Sequence, residues 1–203
     1  MAKSSRDQLS PDVFDLKSFI SPYMMILTPT YFAVLIWCSN RSLGFLFTHT
    51  LAELISIVIA VTTLIVTLIS RHFTRNYFVV FIAIAIGWCG LIDLFHTLLF
   101  QGMQLLPIES ANPATQLWIA ARLLQAFAML AAPFMLTRAI KLLQLNVFFG
   151  VVSISLVVAI MQGYFPAAFV DGQGLTSFKI YSEYLIIAVL AVALVYLWQR
   201  RKY

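Results

Sequence analysis

The sequence predicts an all-α integral membrane bundle of six transmembrane helices with both termini in the cytoplasm. Three observations carry that expectation. Of 203 residues, 62% are hydrophobic and only 10% are charged, with a mean hydropathy of +0.93, whereas a water-soluble domain carries about a quarter of its residues as charges. A bilayer core about 30 Å thick needs about 20 apolar residues per helix, and apolar stretches of that length recur six times. Arginine and lysine alternate in density from one connection to the next, as positive-inside topology requires. The same composition excludes disordered, collagen-like and coiled-coil chains. The two cysteines, Cys38 and Cys89, fall in separate apolar segments and form no C-x-x-C pair, so no disulfide framework is expected. The net charge of +5 does not point to nucleic acid, because the basic residues lie between apolar segments rather than in a patch.

Residues 1–18 hold Lys3, Arg6, Lys17 and three aspartates without an apolar core or a small-residue cleavage site, and read as a cytoplasmic segment rather than a signal peptide. The membrane domain is expected over 19–199, with spans near 19–38, 46–70, 77–100, 115–136, 145–164 and 178–198, followed by a short basic cytoplasmic tail at 200–203. With the N-terminus inside, ten basic residues fall on the cytoplasmic side: Lys3, Arg6, Lys17, Arg71, Arg75, Arg138, Lys141, Arg200, Arg201 and Lys202. Only Arg41 and Lys179 fall outside, and Arg122 lies inside a span. Tyr23, Trp37, Tyr77, Trp118 and Trp198 sit near span ends, where amphipathic rings prefer the interface. Pro29 and Pro133 are expected to kink their spans, and Gly87 and Gly90 to admit a neighbouring helix closely. The outer loops, 101–114 and 165–175, are too short to be folded domains, so any ligand is met by the membrane part itself.

Charged side chains cost roughly 2.5 to 3.5 kcal/mol each at a helix centre on insertion scales, which makes their placement informative. His49 and Glu53 lie near the start of span two, Asp93 and His96 near the end of span three, Arg122 near the start of span four, and Lys179 and Glu183 at the start of span six. With the orientation above, all seven fall in the outer half of the membrane. The pairs are three or four residues apart, so each shares one helix face. Trp118, Arg122 and Gln125 share another, with Gln116 close by. The predicted ligand pocket is therefore His49, Glu53, Asp93, His96, Gln116, Trp118, Arg122, Gln125, Lys179 and Glu183. A purely structural reading pairs Arg122 with Asp93 or Glu53 and lets Lys179 snorkel beside Glu183. With neutral histidines the group carries a small negative excess, tolerant of a cationic or hydrogen-bonding ligand. In the sharpest form, His49, His96, Glu53 and Asp93 hold a divalent metal, the nitrogen and oxygen donors suiting zinc, copper or iron. Cys89, four residues before Asp93, reads as a small buried hydrophobe. No H-E-x-x-H, G-x-S-x-G, phosphate-binding or dinucleotide motif is present.

At these same residues the chain resembles a known family. The runs THTLAELISIVIA from Thr48, LIDLFHTLLFQGM from Leu91, NPATQLWIAARLLQ from Asn112 and FVDGQGLTSFKIYSEY from Phe169 are similar, in this order, to the bacterial membrane-associated sensor domain MASE3. Family members are multi-span input modules ahead of PAS, histidine kinase or diguanylate cyclase parts. The resemblance thus implies a signal-input role in the bacterial cytoplasmic (inner) membrane without supplying a ligand. It places family-like polar residues at His49, Glu53, Asp93, His96, Gln116, Trp118, Arg122, Lys179, Ser182 and Glu183.

Only Gln199 to Tyr203 follow span six in this sequence, so no attached output module is expected. A separate cytoplasmic histidine kinase or diguanylate cyclase, or a second copy in a homodimer, is the expected partner beyond the lipid bilayer. The leading expectation is a non-enzymatic sensor in which an occupant entering from outside shifts spans three, four and six. An intramembrane metal-dependent hydrolase is the alternative, and a small transporter or proton pathway is third, because the inner half holds few polar residues.

Overall fold

The computed structural model describes residues 22–70, 76–103, 105, 110–136 and 141–200. The expected segments 1–18 and 201–203, with the basic residues Arg71, Arg75 and Arg138, lie outside the described residues. The described chain is almost entirely helical: α1 (Pro22–Leu43), α2 (Phe45–Ile69), α3 (Tyr77–Leu98), α4 (Asn112–Ala131), α5 (Leu142–Met161) and α6 (Ser177–Arg200). Single 3-10 turns follow α3 at Gln101–Met103 and α4 at Ala132–Leu136, and a two-stranded antiparallel hairpin, β1 (Phe169–Val170) with β2 (Gly174–Leu175), precedes α6. Five helices, α2 to α6, are long and apolar enough to cross a membrane, as the sequence requires of five of its six spans.

The observed boundaries refine the expected spans. Helix α1 continues through Ser39–Asn40–Arg41, read above as a loop, and stops only at Gly44, whose φ of +85° a side chain would resist. Backbone direction, not side-chain polarity, ends this helix. Helix α4 begins at Asn112 rather than 115, with Pro113 in its first turn where the missing N–H costs nothing. It passes into 3-10 geometry at Ala132–Leu136, where Pro133 interrupts the α-helical ladder. Pro29, by contrast, lies inside an α1 assigned as helix throughout.

The chain divides into two compact units, 1–48 and 49–203. In the first, Ser39 and Thr48 share a hydroxyl hydrogen bond of 2.9 Å. In the second, α3 is the most buried span. Small residues set its neighbours' distance: a Cβ on Gly87 would lie 2.5 Å from the Leu64 Cβ, and one on Gly90 2.7 Å from the Ala60 Cβ. The α2–α3 crossing therefore exists because neither glycine has a side chain. On the other side, Trp88 lies against Gly150 of α5 and donates its indole N–H to Asn146 Oδ1 at 3.0 Å. Helix α4 packs against both α3 and α6. Ile92, Leu117, Ala120, Ala121 and Ile160 form one core cluster, and Val80, Phe81, Ile84, Ala128 and Phe149 a second. Outward-facing Val58, Ile65, Val151, Ile154, Leu194 and Val195 leave broad apolar faces, as hydrocarbon contact demands.

The tight crossing gives a direct test. Gly90→Ala should destabilise the protein by about 1–3 kcal/mol through overpacking, measured by denaturant titration in mixed micelles. Adding Ala60→Gly should recover most of that loss. If Gly90→Ala is as stable as wild type, the helices do not meet this closely.

Candidate functional site

The end of the second unit that carries the hairpin also carries its polar residues. Helix α2 starts there, α3 ends there, and α4 and α6 start there, so four helices contribute their polar turns to the same end. Asp93 and His96, one turn apart on the most buried helix, are 6% and 5% exposed. The Arg122 guanidinium of α4 forms an ion pair with the Asp93 carboxylate through Nη2, and its Nη1 donates to Gln125 Oε1 at 2.6 Å. Of the two partners the sequence left open for Arg122, Asp93 is the one observed. Asp93 Oδ1 and Arg122 Nε remain buried without a hydrogen-bond partner among the described residues, so the pair holds unused polar capacity in a low-dielectric setting.

The histidines meet on the other flank. The His49 and His96 rings are 5.7 Å apart and edge-on, and Phe100 packs against both, 4.4 Å from the first and 6.2 Å from the second. Donor atoms of His49, Glu53 and His96 all lie within 4.8 Å of one another. The Ala114 carbonyl, in the first turn of α4, lies 2.8 Å from His96 Nδ1. A carbonyl can only accept, so Nδ1 carries a proton, and in the neutral imidazole Nε2 is then the nitrogen with the lone pair. Of the four expected metal ligands, Asp93 stands apart from this trio, because its carboxylate is engaged by Arg122.

Between the two flanks lies a cavity of about 320 Å³ lined by Glu53, Ser56, Ile59, Ala60, Ile86, Cys89, Asp93, Trp118, Arg122 and Gln125. Trp118 connects it to a third group. Lys179 of α6 places its ammonium 4.0 Å from the centre of the Trp118 ring and pairs with Glu183 one turn below. Lys179 is 8% exposed. Snorkelling is therefore replaced by a cation–π contact and an ion pair. Gln116 does not join this cavity. Its amide donates to the Phe165 and Pro166 carbonyls, both at 2.9 Å, and fixes the loop before the hairpin.

Sequence reasoning missed the partner of that tether. Asn112 Oδ1 accepts the backbone N–H groups of Ala168 and Phe169 at 2.8 and 3.0 Å, so two residues one turn apart at the start of α4 clamp the loop between α5 and α6. Thr176 completes the arrangement, donating to the Ala167 carbonyl and accepting the Lys179 N–H as a helix cap. Ser56 was also missed, although its position seven residues after His49 and three after Glu53 puts it on their helix face. Phe100 lies past the end of α3 and carried no periodic signal.

Two substitutions probe this geometry. Arg122→Met should cost about 3–5 kcal/mol by leaving Asp93 buried and unpaired, and the Asp93→Asn, Arg122→Met double variant should cost clearly less than the sum of the two. Additive losses in the same micellar titration would mean the ion pair is not the contact that matters. Asn112→Ala should open the 165–176 loop to limited proteolysis, while Asn112→Asp, which keeps an acceptor, should protect it as wild type does.

The sequence model of the MASE3 family, a membrane-associated sensor domain, matches residues 41–203. No curated protein and no solved structure matches the chain.

Proposed function

The chain belongs to the MASE3 family of membrane-associated sensor domains, and from that premise we propose that its sensing site is the polar cavity between α2, α3 and α4, entered from the extracytoplasmic side. It is a multi-pass, membrane-embedded sensor module. In the proposed topology α1 is the sixth span, its 22 residues reaching about 33 Å at 1.5 Å per residue. Both termini face the cytoplasm of a bacterial inner membrane, and the hairpin end faces out.

The observation that carries this reading is the shared cavity: Glu53, Asp93, Trp118, Arg122 and Gln125, from three helices, line one space. Structural ion pairs alone do not require a space between them. With neutral histidines, Glu53, Asp93 and Glu183 outweigh Arg122 and Lys179 by one negative charge, which favours a cationic or hydrogen-bonding occupant. An occupant acts only if it binds two packings unequally. The Arg122–Asp93 and Lys179–Trp118 contacts are where α3, α4 and α6 are joined by charge, so a change in the cavity's charge biases those packings. Helix α6 then passes the change to a cytoplasmic histidine kinase or diguanylate cyclase, or to a second copy of the chain. A metal-dependent hydrolase is the second reading, favoured by the approach of His49, Glu53 and His96; it requires turnover of a lipid-like ester or amide.

The test uses a background in which Cys38 and Cys89 are replaced by serine and alanine. In intact cells Ser56→Cys should react with a small, membrane-impermeant cationic thiosulfonate about tenfold faster than with its anionic analogue, as expected of a focused negative field, whereas Val58→Cys on the outward face should show no such preference. Modification should alter amide exchange along α6. Reaction only after permeabilisation would overturn the orientation, and unchanged exchange in α6 would overturn the coupling.

A further inference from the structure

His49, Glu53 and His96 meet more of the requirements of a cation site than of a packing cluster. They come from two helices, α2 and α3, and bring two imidazoles and one carboxylate within 4.8 Å. His96 is 5% exposed, and its Nε2 is buried without a hydrogen-bond partner among the described residues. A buried imidazole nitrogen in that state is costly unless something fills it. Its other nitrogen is held by the Ala114 carbonyl, the arrangement that orients a metal-bound histidine and sets its tautomer. Hydroxyl and thioether groups sit alongside: Thr50 donates to Met103 Sδ at 3.2 Å, which packs the turn after α3 onto the start of α2.

We propose that His49, Glu53 and His96 bind one divalent transition-metal ion, with zinc the best match to the donor set, and that this ion is the occupant sensed. The two-histidine, one-carboxylate set satisfies three of four tetrahedral positions. Donors around tetrahedral zinc lie about 3.3 Å apart, given bonds of about 2.0 Å, so closure from 4.8 Å needs side-chain rotation of the order of an ångström or so and no backbone change. Glu53 also lines the cavity, which leaves the fourth position for water or for a ligand within that space. Hard-cation selectivity is unfavoured, since magnesium and calcium want mostly oxygen donors. Arrival of the ion turns the group's excess of one negative charge into an excess of one positive charge. That reversal acts on the Asp93–Arg122 pair across the cavity. In naming the ion as the signal the inference rests on the sensor reading; binding itself is measured independently of it.

The experiment uses the full chain in nanodiscs, freed of metal by chelator and titrated with zinc, and with cobalt as a spectroscopic probe. Wild type should bind one ion per chain by elemental analysis, and cobalt should give the intense visible bands of a tetrahedral site. His96→Asn keeps an N–H for the Ala114 carbonyl and removes only the ligand nitrogen; Glu53→Gln keeps the shape and removes the charge. Each should weaken zinc binding about 100-fold or more, beyond the range seen when mere orienting groups are lost, with unchanged helicity and elution volume. Gln116→Ala, which removes the amide bonds to the Phe165 and Pro166 carbonyls and no proposed ligand, should bind zinc as wild type does. No stoichiometric zinc, or equal affinity in wild type and His96→Asn, overturns the site while leaving the cysteine-labelling result for the cavity intact. Zinc that binds as expected but leaves α6 amide exchange unchanged overturns zinc as the signal.

Discussion

A charge inside a hydrocarbon layer must be answered by the protein, because nothing else at that depth can answer it. The Asp93–Arg122 pair is where this constraint acts most directly. Asp93 lies on the most buried helix, and its partner reaches it from α4, which fixes the height of one helix against the other to within a side chain's length. The apolar packing is arranged to permit that approach. Ala120 and Ala121, immediately before Arg122, share a core cluster with Ile92, and Gly87 and Gly90 let α2 close in on α3. Small residues draw the backbones together, and polar groups set the register along the axes.

The polar end separates into three neighbouring groups with shared members. Glu53 belongs both to the histidine trio and to the cavity. Trp118 lines the cavity with its ring and holds Lys179 against it. Lys179 in turn is paired with Glu183 on its own helix. No group is therefore electrostatically isolated from the next. A change of charge at any one position therefore acts on the others.

Much of this was legible in the sequence because helical periodicity and membrane cost are strong local rules. Spacings of three and four residues placed His49 with Glu53 and Asp93 with His96 on single faces, and the costs of burying them required that those faces meet protein. Five long apolar helices followed from length and hydropathy alone. What was illegible is tertiary choice. Spacing offers Arg122 both Asp93 and Glu53, and only the packing of α3 on α4 decides. Gln116 has the composition of a pocket residue, yet its amide serves two loop carbonyls forty-nine and fifty residues away. Asn112 opens α4, and the backbone groups it accepts belong to a distant turn. The extension of α1 through Ser39 and Asn40 is invisible to polarity, because the stop is the left-handed Gly44.

The clamp of Asn112 and Gln116 on the 165–176 loop has a mechanical corollary. The loop leading into α6 is anchored to the start of α4 by the Asn112 and Gln116 side chains, which hold its backbone groups, so the two helix heads cannot slide independently. Below that anchor α6 runs 24 residues, about 36 Å at 1.5 Å per residue. It is a lever pivoted at its upper end: a tilt of about 5° there sweeps its lower tip by about 3 Å, by simple trigonometry on that length. Displacements too small to break a single hydrogen bond near the fulcrum thus become, at the opposite membrane surface, as large as the width of an atom.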